Sequence, residues 1–240
     1  LKEVIRQTVI AVSKQESRPI LAGVHMTLKD GVLTAVATDS HRLAQRKVVL
    51  ENIDNSIDFD VIIPGKSMEE LSGMISDVHE DVQMQVTENQ VLFIFGNTHF
   101  YSRLLEGNYP ETSQLIPQTA DTTVELEAGT FLSSIERASL LSHESRNDVV
   151  KLSLKPSESL VRISGDSPDI GTVEEKVVTS ALDGNDLEIS FNPNYMKDAL
   201  RSFGQATIKI SFTSPLRPFT LVPTEDQENF VHLITPVRTF

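Results

Sequence analysis

The stretch TDSHRLA, Thr38 to Ala44, sets an aspartate, a serine and a histidine side by side, followed by an arginine and a leucine. Those are the residue types of a hydrolytic triad, in which a base takes the serine proton and a carboxylate orients the base. A hydrolase using Ser40 and His41 is therefore one reading of the chain. Spacing weighs against it. Neighbours on an extended chain point to opposite faces, so Ser40 and His41 diverge, whereas a nucleophile and its base must meet within hydrogen-bond reach. No GxSxG elbow surrounds Ser40. The other histidines, His25, His79, His99, His143 and His232, follow no HExxH or other metal-ligand spacing, and no P-loop or GxGxxG occurs. No metal or cofactor is therefore expected. The plain structural reading of TDSHR is a strand end, with Asp39 and Ser40 capping a turn and His41 and Arg42 exposed.

Bulk properties bound the rest. The 240 residues suffice for one large domain or two ordinary ones, with 39% hydrophobic and 23% charged residues, as in ordinary folded proteins. Without cysteine there is no disulfide framework, thiolate metal site or Cys nucleophile. No apolar run approaches the roughly 18 residues that span a bilayer. The opening LKEVIRQTVIAVSKQ lacks both an initiator Met and the pattern of a signal peptide, so a fragment with residues missing before Leu1 is expected. The net charge of −13 taken alone argues against nucleic acid. Acidity and abundant strands leave a further alternative, an extracellular β-rich adhesion module.

Patterning predicts the elements that position TDSHR. Val4, Ile5, Val9 and Val12 gather on one side of a helix running from Leu1 to about Val12, a pattern Ile10 breaks. ILAGVHMTL, VLTAVATD and RLAQRKVVL read as strands, the first two joined by a turn at Lys29 to Gly31. FDVIIP followed by KSMEELSGMIS reads as strand then helix, and VQMQVTENQVLFIF as a hairpin turning at Glu88 and Asn89. The order then repeats: GTFLSSIERASLLSHESR parallels VIRQTVIAVSKQESR, and LEISFNPNYMKDALRSF parallels FDVIIPGKSMEELSGMI with Met68 and Met196 128 positions apart. This predicts a duplicated α+β unit, each copy with helices on one face of antiparallel sheets. The joint falls near Gln118 to Thr123, giving domains 1–119 and 120–240.

ESRPILAGV, ATDSHRLA, IIPGKSMEEL, LEGNYP and the terminal LITPVRTF, in that order over nearly the whole chain, resemble the bacterial sliding clamp, the beta subunit of DNA polymerase III. The resemblance implies two tandem DNA-clamp domains, the middle and C-terminal ones of a family with three per chain. The first domain, and the first strand of the middle one, are expected to be absent. Family chains close head to tail as homodimers around duplex DNA. They are non-catalytic accessory subunits, cytoplasmic and nucleoid-associated, without a membrane partner. Short linear peptides of the replicative polymerase catalytic subunit, the clamp loader, other polymerases and repair proteins bind a hydrophobic pocket between the middle and last domains. By motif its lining is Leu21, Thr38, Ser40, His41, Arg42, Leu43, Pro110, Leu115, Leu216, Pro218, Leu233, Thr235, Pro236, Val237 and Arg238. The stretch matching the family's ring joint includes Leu140 and Leu141 with an acidic edge, Asp166, Asp169, Glu174 and Glu175. Gln114 stands where some clamps have Arg, and Phe240 ends the chain two residues past Arg238.

Charge patterning agrees with a ring around DNA. The helical segments 1–18, 64–76, 129–147 and 193–203 hold nine basic residues, Lys2, Arg6, Lys14, Arg18, Lys66, Arg137, Arg146, Lys197 and Arg201, against seven acids. That net of +2 leaves −15 for the remainder, as expected of helices facing phosphates and sheets facing away. So small an excess suits weak, exchangeable contacts without base readout.

Overall fold

Alternation assigns strand faces. In QVLFIF, Val91, Phe93 and Phe95 are buried while Gln90 is exposed, and in TIKISF the buried residues are Ile208, Ile210 and Phe212. One face of each strand thus feeds a core and the other does not. The computed structural model describes residues 1–240 apart from 52, 55, 77–80, 143–147, 168 and 240. The chain forms two units, Leu1–Glu111 and Thr112–Phe240.

In the first unit, α1 (Lys2–Thr8) precedes β1 (Gly23–Lys29), β2 (Val32–Thr38), β3 (Arg42–Val49) and β4 (Phe59–Pro64). Helix α2 (Gly65–Met74) and the strands β5 (Gln83–Val86), β6 (Gln90–Phe95) and β7 (Thr98–Arg103) complete it. Its sheets have the orders β3-β2-β1-β4 and β5-β6-β7, antiparallel throughout. The β1–β2 turn is a two-residue hairpin in which Asp30 (φ +50°) and Gly31 (φ +76°) take the left-handed conformation that matches strand twist. Ile5, Met26, Ile63, Met68, Leu71 and Phe93 belong to one core drawn from both helices and both sheets.

The second unit contains β8 (Thr122–Glu127), α3 (Ala128–Ser142), β9 (Val150–Lys155), β10 (Leu160–Ser167), β11 (Gly171–Lys176) and β12 (Ala181–Gly184). Then come β13 (Leu187–Phe191), α4 (Pro193–Phe203), β14 (Thr207–Phe212), β15 (Phe219–Pro223) and β16 (Phe230–Ile234). Its strand orders are β11-β10-β9-β13 and β12-β8-β14-β15-β16. The first order repeats β3-β2-β1-β4, and β14-β15-β16 repeats β5-β6-β7. Met68 and Met196, aligned by sequence, both lie fully buried in corresponding helices.

Differences from the sequence reading have local causes. Helix α1 ends at Thr8, whose hydroxyl donates back to Val4 O at 2.8 Å, and a 3-10 turn takes over at Val9–Ala11. Pro19–Ala22 forms another 3-10 turn, so the strand expected from Ile20 begins at Gly23. The units divide after Glu111, eight residues before the expected boundary at 119. Only a short 3-10 turn, Ser113–Leu115, lies between Glu111 and β8, so no hydrophobic period marks the division.

Helix α3 rests on β10 so closely that a Cβ at Gly165 would lie 2.1 Å from Ala138 O. Gly165→Ala is expected to lower stability by about 2–3 kcal/mol through forced backbone movement. Gly73, near the end of α2, has nothing within 4 Å of its missing Cβ, so Gly73→Ala should stabilise by about 0.5–1 kcal/mol. Chemical denaturation of the two variants checks this opposition of sign.

Candidate functional site

TDSHR is the turn between β2 and β3, and its side chains fold it. Asp39 accepts at Oδ1 from the backbone N–H groups of His41 (2.9 Å) and Arg42 (3.0 Å), and at Oδ2 from Arg42 Nε (3.1 Å). The Thr38 hydroxyl donates to Arg42 O (2.7 Å) and accepts from Ser40 N–H (3.2 Å). Ser40 sits at φ +78°, a left-handed conformation that strains a side chain with a Cβ. Its hydroxyl accepts from Arg18 Nη1 at 2.5 Å. The loop is therefore held from three sides, with Ser40 and His41 exposed at its tip. The Asp39 carboxylate is committed to two backbone amides and a guanidinium, which is turn chemistry.

Three residues under this loop, His25, Asp60 and Tyr109, are not among the expected site residues. The β1–β2 ladder ends at the pair His25 and Val36, two residues before Thr38. Thr38 N–H donates instead to the Tyr109 hydroxyl at 3.0 Å. The Tyr109 ring stacks on His25, centroids 4.9 Å apart and planes at 24°. His25 Nε2 lies 2.7 Å from Asp60 Oδ1 on β4. Chain direction brings Tyr109 there: after β7 the backbone runs along β4, with Leu105 N–H donating to Ile62 O at 2.8 Å, and bends at Gly107 (φ +138°). Burial pushes the Tyr109 phenol up to about 12, its bond from the Thr38 amide only partly opposing this.

The expected peptide-binding residues are distributed over both units. In the first, Thr38, Ser40 and Arg42 belong to the loop, Arg18 bonds Ser40, and Leu21 N–H bonds back to Arg18 O at 3.1 Å. Leu21 and Leu43 are buried, while Pro110 is exposed. In the second, Leu115 and Leu216 are 51% and 59% exposed. Thr235, Pro236, Val237 and Pro218 are half-buried, Arg238 is exposed and Leu233 is buried. Val237 N–H donates to Ser190 O at 2.8 Å, tying the terminal segment to β13.

The cations expected to face DNA are not alike. Arg6, Lys14 and Lys66 are exposed and make no ion pair among the described residues; Lys2 is half-buried. Lys14 and Lys66 line one groove together with Glu16 and Glu69. Arg18 is exposed but engaged with Ser40, which groups it with the TDSHR loop. Lys197 departs from expectation: it is only 9% exposed, with its ammonium 3.4 Å from Ser139 Oγ, because α4 turns it onto α3. Arg201 pairs with Glu136 (3.1 Å) and Asp198 (3.7 Å). Arg146, like Phe240, lies outside the described residues.

Two sets of expected residues meet across α3 and β11. Arg137 donates to Glu175 from Nε (2.8 Å) and Nη2 (2.5 Å), and Ser134 Oγ donates to the same carboxylate at 2.8 Å. The guanidinium holds Glu175 below the usual carboxylate range. Glu174 pairs with Arg162 at 3.1 Å. Leu140 is 70% exposed and Leu141 half-buried on α3, while Asp166 and Asp169 are exposed.

Two outcomes follow from this geometry. Asp39→Ala removes the acceptor of two amides and should lower the stability of the first unit by about 1–3 kcal/mol, measured by denaturation. The raised Tyr109 pKa means that unfolding favours its ionised form. Stability is thus full below pH 10, the ordinary tyrosine value, and falls as pH rises toward about 12. Tyr109→Phe should remove that part of the alkaline loss, and phenolate absorbance should show one tyrosine titrating late.

Comparison with known proteins agrees with the repeat. Residues 1–111 match the family model described as DNA polymerase III beta subunit, central domain, and residues 113–238 match the C-terminal domain of the same subunit. The beta sliding clamp of Bacillus subtilis (strain 168) is 51% identical over 240 residues, covering all of this chain and 63% of the relative. That of Streptococcus pneumoniae (TIGR4) is 48% identical, with 62% of its length covered. A crystal structure of the DNA polymerase sliding clamp from Bacillus subtilis superimposes with a TM-score of 0.95 at 50% identity, over 100% of this chain and 62% of that one. This chain therefore spans somewhat less than two thirds of the relatives it matches. With both units matched, in order, to successive domains of one subunit, the chain belongs to the DNA polymerase III beta subunit family.

Proposed function

We propose that this chain is the middle and C-terminal part of a sliding clamp. In that reading the longer protein encircles duplex DNA as a homodimer and acts as a non-catalytic, cytoplasmic and nucleoid-associated accessory subunit. It tethers the replicative polymerase, the clamp loader, other polymerases and repair proteins by short linear peptides. The observation that carries the peptide reading is the Thr38–Arg42 loop, fixed by Asp39, Thr38 and Arg18 with Ser40 and His41 at the surface. A loop ordered before binding loses little entropy on engaging a peptide. Leu115, Leu216, Pro236 and Val237 supply apolar surface for anchors, each worth roughly 1.5–3 kcal/mol when fully buried. Arg238 is placed in the open for a carbonyl or carboxylate.

Contact with DNA rests on Arg6, Lys14 and Lys66, diluted by Glu16 and Glu69. Such contacts are individually weak, so they exchange readily as the protein slides. Closure of the ring rests on the edge strand β11 and on Leu140, an exposed strand edge beside an exposed leucine. The hydrolase reading lacks its orienting carboxylate, since Asp39 is committed elsewhere. The adhesion reading finds no support in the family matches.

Fluorescence polarisation with a QLxLF-type peptide tests the proposal. Deletion of Thr235 to Phe240 should abolish binding while the thermal transition persists; unchanged affinity refutes the peptide reading. Duplex DNA should bind weakly and without sequence preference. Alanine at Arg6, Lys14 and Lys66 together should flatten the slope of log K against log salt by up to about 2.7, or about 0.9 for each phosphate no longer neutralised. A slope unchanged by the triple substitution refutes the DNA-facing assignment.

A further inference from the structure

We infer that Tyr109 is the positioning residue of the Thr38–Arg42 loop, standing in for a strand where the β1–β2 ladder runs out, with His25 and Asp60 setting its ring. This deepens the peptide reading above and rests on it. The last β1–β2 pair is His25 and Val36, so Thr38, two residues on, turns its N–H toward β1 beyond the last β1–β2 pair. A buried amide there needs an acceptor. Thr38 is buried, and the Tyr109 hydroxyl supplies that acceptor at 3.0 Å. A hydroxyl on a long, rigid ring fixes the amide only if the ring is itself fixed. Stacking on His25 at 4.9 Å does this from the final residue pair of the ladder. His25 pairs across the strands with Ile62, so Asp60, two residues along β4, faces the same side and reaches His25 Nε2 at 2.7 Å.

The consequence reaches the loop's own bonds. Thr38 is their hub: its hydroxyl holds Arg42 O and Ser40 N–H. Fixing the Thr38 peptide plane therefore fixes where Ser40, His41 and Arg42 present their groups. Release of Thr38 N–H leaves the core beneath untouched but lets the strained Ser40 turn relax.

Tyr109→Phe in the whole chain keeps the ring and removes only the acceptor. Amide hydrogen exchange and binding of a QLxLF-type peptide are measured together. The expected result is exchange about tenfold faster at Thr38, unchanged exchange in β6 and α2, and peptide affinity about fivefold to tenfold lower, the size of one missing hydrogen bond. Wild-type exchange at Thr38, or wild-type peptide affinity, overturns the inference. Faster exchange throughout the first unit also overturns it, because Tyr109 is then a prop of the whole fold. If Tyr109→Phe does not fold, Asp60→Ala at an exposed position frees His25 instead: faster Thr38 exchange supports the role and unchanged exchange overturns it. A wild-type chain that binds no peptide overturns the peptide reading and this role with it, whereas unchanged Thr38 exchange overturns this role alone.

Discussion

A backbone N–H removed from water must find an acceptor, and the first unit meets that demand at the end of β2 with side chains instead of a neighbouring strand. Beyond the pair His25 and Val36 there is no β1 partner, and the chain must still reverse into β3. Tyr109 takes the Thr38 amide, Asp39 takes those of His41 and Arg42, and the Thr38 hydroxyl takes that of Ser40. The turn is thus ordered by largely buried polar side chains beneath an exposed tip. That is how the fold can offer a serine and a histidine at the tip of the turn without burying them, with Arg42 held half-buried beside them.

The same separation of roles runs through the charged residues. Basic residues of the second unit are largely engaged within it: Arg137 with Glu175, Arg201 with Glu136 and Asp198, Lys197 beside Ser139. Those of the first unit stand open at Arg6, Lys14 and Lys66. Ion pairs at an exposed surface contribute little to stability, yet they remove a cation from what DNA can meet. A net charge of +2 counted over helical segments therefore overstates the positive charge on offer and misplaces part of it.

Much of the fold was legible in the sequence because it follows from period. The strand-then-helix repeat around Met68 and Met196 is a pattern of apolar spacing, and both methionines are core residues. Helix α4 occupies 193–203 as patterned, its start marked by Asn192 accepting from Asn194 N–H at 2.8 Å. What escaped depends on side chains meeting from afar. Tyr109 is 71 residues from the amide it holds, and His25 is 35 from Asp60. The sequence marks Asp39 as a turn cap, and its reach to the Arg42 guanidinium shows only in three dimensions. The inward turn of Lys197 could not be told from a solvated one, since a lysine on an amphipathic helix lies on either side of the boundary with equal chemistry.

The central claim is the proposal that the ordered β2–β3 turn of this clamp-family chain engages a short linear peptide. The most direct measurement is an amide chemical-shift titration of the isotopically labelled chain with a QLxLF-type peptide. Saturable shifts are expected, concentrated at Thr38 to Leu43 and Thr235 to Arg238, with the interiors of α2 and β10 silent. Shifts absent at saturating peptide, or clustered away from both segments, contradict the claim.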